Sequence, residues 1–188
     1  MNKSKDNIEK QLADSFRMLA RSRAVEKITI KDITDGAGLI RPTFYNHFKD
    51  KYELVEWILV QDVITPVRMM LESGLVDEAR VVLFSQLKKD KEFYTRLSRM
   101  EGQNSFGEII LKHYEELLRD YIISRSAGRS SRIMWPGPEL VAKYFANAMC
   151  FIIQEWIGRG MEPGPRDMAR IFEYIASHSL EEILRTMG

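Results

Sequence analysis

Six residues able to contact a nucleic acid lie within the stretch "RPTFYNH" at positions 41–47: Arg41, Pro42, Thr43, Tyr45, Asn46 and His47. The Arg41 guanidinium can donate two parallel hydrogen bonds to guanine O6 and N7, the Pro42 ring can meet a thymine methyl group, and the Asn46 amide can pair with adenine. The hydroxyl and imidazole groups can donate to phosphate oxygens, which hold a protein in position without reading sequence. The stretch therefore predicts a surface that double-stranded DNA covers.

A short helix over 41–48 would present these side chains. At about 100° per residue, Phe44 and Phe48 share one face, with Leu39 nearby, so this face is expected to pack inward. Pro42 and Asn46 then point outward, and the other polar side chains of the stretch flank them.

A second short helix, over 29–36, precedes it. Thr29 is the expected N-cap, Asp32 forms an imperfect capping box with it, and the turn at 37–38 ends the helix. Two short helices joined by such a turn have the proportions of a helix-turn-helix unit. Thr29 and Lys51, the latter in the first turn of the following helix, are expected to add phosphate contacts.

The remaining periodic segments also predict helices, so the expected fold is all-α. An amphipathic helix is expected over about 5–25, and a fourth helix starts near Asp50, with Pro66 as its end or a kink. Further helices are expected over 77–88, 91–99, 105–125, 138–158 and 167–185, although "RVVLF" at 80–84 is short enough to be a strand. We divide the chain into a DNA-binding domain, 1–50, and a helical effector-binding and dimerisation domain, 51–188.

Charge is distributed unevenly along the 188 residues, which carry a formal net charge of +1. Residues 1–51 hold 11 basic and 7 acidic residues, a net of +4, whereas the rest of the chain has a net of −3. A basic front end suits an anionic partner such as DNA. Cys150 is the single cysteine, which excludes an intrachain disulfide, and no signal peptide or membrane span is expected. We expect a cytoplasmic protein.

Enzymatic activity is the rival class, and the sequence offers little for it. His47, His113 and His178 are too far apart for a local metal motif, and no phosphate-binding loop or nucleophile elbow occurs. We expect no catalytic residues, no metal and no cofactor.

Two apolar stripes near the C-terminus exceed the needs of one small core. They predict a dimer interface built as a four-helix bundle, with a monomer that buries both stripes as the alternative. Twelve residues form the stripes: Val141, Tyr144, Phe145, Ala148, Phe151, Ile152, Trp156, Met168, Ile171, Phe172, Ile175 and Leu184.

An aromatic and methionine set between the two ends could line an effector pocket, although such a stripe is more often core. Its members are Phe93, Tyr94, Met100, Phe106, Ile110, His113, Tyr114 and Trp135.

The stretch "ITIKDITDGAGLIRPTFYNHFKDKYELVEWIL" resembles the DNA-binding domain of the TetR family of bacterial transcription regulators, over about residues 8–60. The resemblance implies DNA contacts by residues 41–43, 45, 47 and 51, and a backbone phosphate contact by Thr29. Two positions depart from the family pattern, since Ile40 replaces a serine cap and Asn46 replaces an aromatic residue or histidine.

The C-terminal part resembles the regulatory and dimerisation domain of this family. The stretches "KDKEFYTRLSRMEGQNSF" and "QEWIGRGM" are similar to a subgroup that includes regulators of dihydroxyacetone kinase operons. The expected function is a homodimeric repressor that binds a near-palindromic operator and responds to a small molecule or a protein partner. The alternative is a helical protein-interaction adaptor with a vestigial DNA-binding head.

Overall fold

The computed structural model describes residues 3–126 and 137–187, and every regular element in these ranges is helical. The N-terminal part contains α1 (Lys3–Ser22), a 3₁₀ turn (Val25–Lys27), α2 (Ile30–Gly36), α3 (Arg41–Tyr45) and α4 (Lys51–Leu59). A π-helical turn (Val60–Ile64) leads to α5 (Thr65–Glu72), α6 (Val76–Lys89), α7 (Lys91–Leu97), α8 (Phe106–Ser126), α9 (Pro138–Gly158), α10 (Pro165–Ser177) and α11 (Leu180–Met187). The all-α prediction is confirmed, and the ambiguous stretch 80–84 lies inside α6.

Helix α1 is the central support of the N-terminal part. Leu12, Phe16 and Ala20 recur at four-residue spacing and are fully buried, as expected for the apolar face of an amphipathic helix. This face packs against α2, α4 and α7. Phe16 meets the edge of Phe93 on α7, with ring centroids 6.0 Å apart. The first helix therefore contacts both the small helices beside it and the larger C-terminal part.

The fourth helix begins and continues much as predicted. The Asp50 carboxylate accepts hydrogen bonds from the backbone N–H groups of Tyr52 and Glu53, both at 2.9 Å, and so caps α4. The helical path does not end at Pro66, which lies in the first turn of α5. The hydrogen-bond pattern changes just before it, in the π turn. The Thr65 N–H donates to the Val60 carbonyl, five residues back, and this π turn connects α4 to α5.

The predicted single helix over 167–185 is wrong, since the chain breaks between α10 and α11. His178 has an extended backbone, and Ser179 starts the next helix by a reciprocal cap with Glu182. The Glu182 N–H donates to the Ser179 hydroxyl at 3.3 Å, and the Ser179 N–H donates to the Glu182 carboxylate at 2.7 Å. The serine-to-glutamate spacing is the sequence signature of a capping box, so this boundary was visible in the sequence.

The C-terminal helices form the larger part of one continuous core. Helix α8 packs along α9, and α6 packs between α5 and α10. Trp156 of α9 is buried, meets Phe84 of α6 edge to face at 5.1 Å, and donates its indole N–H to the Pro163 carbonyl at 2.7 Å. Across the part of the chain that the structure describes, no helix is both long and apolar enough to cross a bilayer.

Candidate nucleic-acid interface

Helix α2 is held by a reciprocal cap at its start and by a close approach to α1. The Thr29 hydroxyl accepts from the Asp32 N–H at 3.1 Å, and the Thr29 N–H donates to the Asp32 carboxylate at 2.9 Å. These bonds from Thr29, the side-chain bond first, lower the pKa of Asp32. In the middle of α2, the Ile33 carbonyl accepts a hydrogen bond from the Ser15 hydroxyl at 2.7 Å. A Cβ at Gly36 would overlap that hydroxyl, so glycine lets α1 and α2 meet.

The turn between α2 and α3 requires glycine, because Gly38 has a φ of +67°, a left-handed conformation that other residues rarely adopt. After it, α3 is shorter than the predicted 41–48 and ends at Tyr45. The next residues stay in a turn, with the Phe48 N–H donating to the Phe44 carbonyl at 2.9 Å. The predicted inward face is confirmed, because Phe44 and Phe48 are both buried.

Four exposed residues of α3 and the turn after it form what we name the recognition surface: Arg41, Pro42, Tyr45 and Asn46. Tyr45 is half exposed and rests its ring edge-on against Phe44, at 5.7 Å. Its hydroxyl accepts a long hydrogen bond from Arg41, at 3.4 Å. Within the described residues Arg41 makes no ion pair, so its donors remain available to a ligand. The surface therefore combines hydrogen-bond donors and rings on a rigid apolar base.

Ile40 lies beside this surface and is the N-cap residue of α3. Its side chain makes no capping hydrogen bond and is 67% exposed. Ile40 was not predicted to contact DNA, although it replaces the serine that is usual in the family. Its exposed apolar side chain lies next to the recognition surface. Thr43, in the same helix, is half buried.

Lys51 has partners that the sequence did not predict. Its ammonium donates to three backbone carbonyls around the 3₁₀ turn, those of Val25 at 2.8 Å, Glu26 at 2.9 Å and Ile28 at 2.9 Å. An ammonium group has three N–H donors, so all of them are used inside the protein. Burial lowers the pKa of Lys51. Lys51 therefore has a structural role that the sequence did not predict, and its direct contact with phosphate stays a prediction.

His47 and Thr29 are likewise engaged within the protein. The His47 side chain is only 9% exposed, and its Nδ1 lies 3.3 Å from the Glu9 carboxylate of α1. The expectation that His47 flanks the outward face is corrected, because α1 covers its imidazole. The Thr29 hydroxyl also donates to Asp32, at 2.7 Å. Glu9 was not predicted to matter, since no spacing rule relates it to a residue 38 positions away.

The predicted effector-pocket residues do not come together around a cavity. Six of them are buried in the core: Phe93, Tyr94, Met100, Phe106, Ile110 and Tyr114. His113 instead approaches Glu56 of α4, with Nε2 2.7 Å from the carboxylate, and Trp135 lies outside the described residues. The correction has a simple cause, since aromatic residues at helical spacing filled the interior between α1, α7 and α8.

A cavity of about 330 Å³ lies instead among α5, α6, α8, α9 and α10. Of the predicted pocket residues that the structure describes, Tyr114 alone lines it. Its walls are mostly apolar, and they include Val67, Leu71, Val76, Leu118, Val141, Phe145 and Phe172. The charged residues in its lining are Arg80 and Glu173, whose guanidinium and carboxylate lie 3.7 Å apart.

The predicted dimer residues divide between the surface and the core. Five are exposed on α9, α10 and α11, namely Tyr144, Phe151, Ile171, Ile175 and Leu184. Four are half buried, namely Val141, Phe145, Ala148 and Ile152. The prediction needs correction for Trp156, Met168 and Phe172, which are buried within the same chain. Leu140 and Leu180 are exposed on the same helices and were missed.

Two family descriptions match the chain. "Bacterial regulatory proteins, tetR family" matches residues 14–58, and "Transcriptional regulator C-terminal region" matches residues 77–178. The HTH-type dhaKLM operon transcriptional activator DhaS of Lactococcus lactis subsp. lactis (strain IL1403) is 28% identical over 154 residues, 81% of this chain and 80% of that protein.

Solved structures show the same fold. The dihydroxyacetone kinase operon activator DhaS superposes with a TM-score of 0.62 at 24% identity, over 89% of this chain and 93% of that chain. The fatty acid degradation regulator FadR from Bacillus halodurans superposes with a TM-score of 0.64 at 15% identity, over 92% of this chain and 96% of that chain. Since the C-terminal match alone spans more than half of the residues and the N-terminal match includes the recognition surface, the chain belongs to the TetR family of DNA-binding transcriptional regulators.

Proposed function

We propose that this regulator binds a near-palindromic operator as a homodimer, with the recognition surface of each protomer in the major groove. The observation that carries the proposal is the division of α3 into two faces. Phe44 is fully buried, whereas Arg41, Pro42, Tyr45 and Asn46 are exposed together on the other side. A helix so short has little stability of its own, so its orientation depends on the core beneath it.

The roles of the contact residues follow from their exposure. Arg41 would donate to a guanine, Asn46 would read an adenine, and Pro42 would meet a thymine methyl group. Tyr45 and Thr43 would donate to phosphates from either side. His47, Thr29 and Lys51 would act from behind, by holding the unit that presents these groups, since their polar atoms already have partners in the protein.

Dimer formation would cover the exposed apolar face of α9, α10 and α11. Tyr144 and Phe151, two turns apart on α9, are 70% and 65% exposed, and large apolar side chains exposed together on one helix are typical of protein interfaces. Two copies of α9 and α10 packed about a twofold axis would make a four-helix bundle. The axis would place the two recognition surfaces about one turn of duplex apart, or somewhat more.

The cavity of about 330 Å³ is the proposed effector site, and its lining favours a mainly apolar small molecule. Such a ligand can regulate only if it binds one arrangement of the two DNA-binding heads better than another. A protein partner is the other form of effector, and it would act by the same differential affinity.

We propose repression as the direction of regulation, because a dimer seated in the groove at a promoter excludes the polymerase. An operator upstream of the promoter would instead allow activation, the role named for the Lactococcus protein. A reporter gene behind the operator tests the sign, since reporter output should fall when the regulator is supplied and a rise would overturn repression. A DNA-binding regulator acts where the chromosome lies, so the proposed location is the cytoplasm.

The test of DNA binding is enrichment of genomic fragments on the purified protein at moderate salt, followed by sequencing of the retained DNA. We expect one palindromic motif from the natural chain and none from the double variant Arg41→Ala/Asn46→Ala. Met69→Ala is the matched control, since Met69 is 59% exposed on α5 and away from the recognition surface. Retention of no motif by the natural chain would overturn the proposal and favour the adaptor.

A further inference from the structure

The joint between the DNA-binding helices and the C-terminal helices contains a cluster of charged and aromatic groups centred on Arg17. This cluster, which we name the Arg17 cluster, consists of Arg17 of α1, Asp62 of the π turn, Asp90, and Phe93 and Tyr94 of α7. The Arg17 guanidinium donates to the Asp62 carboxylate and, at 3.2 Å, to that of Asp90. It also stands over the Phe93 ring, 5.0 Å from the centroid.

Asp62 has a second partner in the same cluster. The Tyr94 hydroxyl donates to the same carboxylate oxygen as Arg17, at 3.2 Å. Burial raises the pKa of Tyr94 well above its usual value, so its proton is present for this bond at neutral pH. The three elements α1, π turn and α7 therefore meet at one carboxylate.

The Arg17 side chain is only 17% exposed. A guanidinium withdrawn from water to this extent is costly to leave unpaired. The arrangement in which Arg17 pairs with both carboxylates and stacks on Phe93 is therefore strongly preferred over arrangements that break these contacts. The planar fork of arginine also fixes direction, which a flexible ammonium would not do. The cluster is thus a directional contact between α1 and the C-terminal part.

The position of Asp62 allows its ion pair with Arg17 to restrain the angle between α4 and α5. Asp62 lies in the π turn that connects α4 to α5. We assign α4 to the DNA-binding head, although the expected domain boundary lies at residue 50, because the tetR-family match extends to residue 58. Since a π turn inside a long helical path is a common place for bending, the angle between α4 and α5 needs a restraint from outside the helix. Arg17 supplies one from α1.

A second tie connects α4 to α8. The Glu56 carboxylate accepts from the Lys112 ammonium of α8 at 2.7 Å and lies 2.7 Å from Nε2 of His113. With α1 held by the Arg17 cluster and α4 held by Glu56, the head is attached to the C-terminal part at two separate points. Two separate attachment points leave only rotation about the line that joins them, and the packing of α1 against α7 opposes this rotation.

We propose that Arg17 is a positioning residue that sets the orientation of the DNA-binding head, and so determines which spacing between operator half-sites the dimer accepts. This inference rests on the proposed function, because it needs two heads on one operator. One added base pair moves the second half-site by about 3.4 Å and turns it by about 35°. A head of fixed orientation should reject such a change, and a loosened head should tolerate it.

The experiment uses the full-length protein and the palindrome found by fragment enrichment, with the centre between half-sites shortened or lengthened by one and two base pairs. The natural chain should bind its preferred spacing at least about fivefold better than the neighbours. Arg17→Met should reduce this preference to less than about twofold, while binding to a duplex with a single half-site stays unchanged. A merely structural role would weaken binding to every spacing alike.

Arg21→Met is the matched control. Arg21 lies one turn along α1 and donates to Asp90 at 3.2 Å, but its side chain is 52% exposed and, among the described residues, it makes no bond to Asp62. The control should keep the spacing preference of the natural chain. Asp62→Asn keeps the size of the side chain and removes its charge, so it tests the same contact if Arg17→Met fails to fold.

The outcomes separate the two proposals. If the natural chain binds no palindrome, the proposed function fails and this inference fails with it. If the natural chain binds a palindrome with no spacing preference, or if Arg17→Met and Asp62→Asn keep the natural preference, the inference alone is overturned.

Discussion

Lys51→Met should destabilise the DNA-binding head, because the lost ammonium leaves three backbone carbonyls without their donor. The bonds run to Val25, Glu26 and Ile28, at 2.8–2.9 Å. They tie the first turn of α4 to the segment between α1 and α2. Methionine keeps the length of the side chain and its packing but cannot donate, so the substitution isolates the hydrogen bonds.

The magnitude follows from the number of bonds and their access to water. A hydrogen bond to a charged group contributes about 1.5–3 kcal/mol. Lys51 is half buried, so water can replace part of what the ammonium supplied, and we expect a total loss of about 2–4 kcal/mol in the free energy of unfolding. For a chain of this length, the loss lowers Tm by roughly 5–15 °C.

Urea unfolding followed by circular dichroism measures this loss, with Lys49→Met as the matched control. Lys49 is exposed and lies two positions away, so its substitution should change stability by less than about 0.5 kcal/mol. Equal stabilities of the two variants would refute the structural role of Lys51. The salt dependence of operator binding gives a second test, since a direct phosphate contact by Lys51 would make the slope shallower by about one unit on substitution.

Arg41→Ala should cost about 1–3 kcal/mol of operator affinity and relax the preference at one base step. Affinities for a panel of single-base operator variants measure both effects, and affinities equal to those of the natural chain would contradict the guanine contact. The double substitution Tyr144→Asp/Phe151→Asp should convert the dimer to a monomer in size-exclusion chromatography with light scattering, and a dimer of unchanged mass would contradict the proposed interface. Burial raises the pKa of Cys150 to about 12, so a disulfide reagent at pH 8 should label it only after unfolding, and fast labelling of the folded chain would contradict this. Between the unfolded pKa of about 8.5 and the folded value, the folded state holds this proton more tightly, so Cys150 should make the free energy of unfolding fall as pH rises, and Cys150→Ala should lessen that fall.

The recognition surface was predictable because it depends on local rules. Helical spacing placed Phe44 and Phe48 on one face, and Gly38 with the Thr29 cap defined the two short helices. The break before α11 obeys a local rule as well. The Ser179–Glu182 spacing predicts a helix start, but it lies within a continuous apolar pattern that also favours one longer helix.

The partners of the polar groups were not predictable in the same way. Lys51 contacts carbonyls 23–26 residues away, and Arg17 contacts Asp90, 73 positions along the chain. Such contacts depend on how helices meet, which helical periodicity does not specify. The same limit explains why the predicted effector pocket was wrong. Periodicity shows that Phe93 and Ile110 each lie on the apolar face of a helix, but it does not show whether a neighbouring helix fills the space between those faces.

The central claim is that the outward side of α3 lies against duplex DNA, and a crosslink from that side tests it most directly. The measurement replaces Tyr45 with p-benzoylphenylalanine and irradiates the complex with the enriched palindromic duplex. Tyr45→p-benzoylphenylalanine should form a covalent adduct with the DNA near each half-site, whereas the same replacement at Met69, which is exposed on α5, should form none. Absence of an adduct at position 45 in a complex that still binds the duplex, or equal adducts at both positions, would contradict the account.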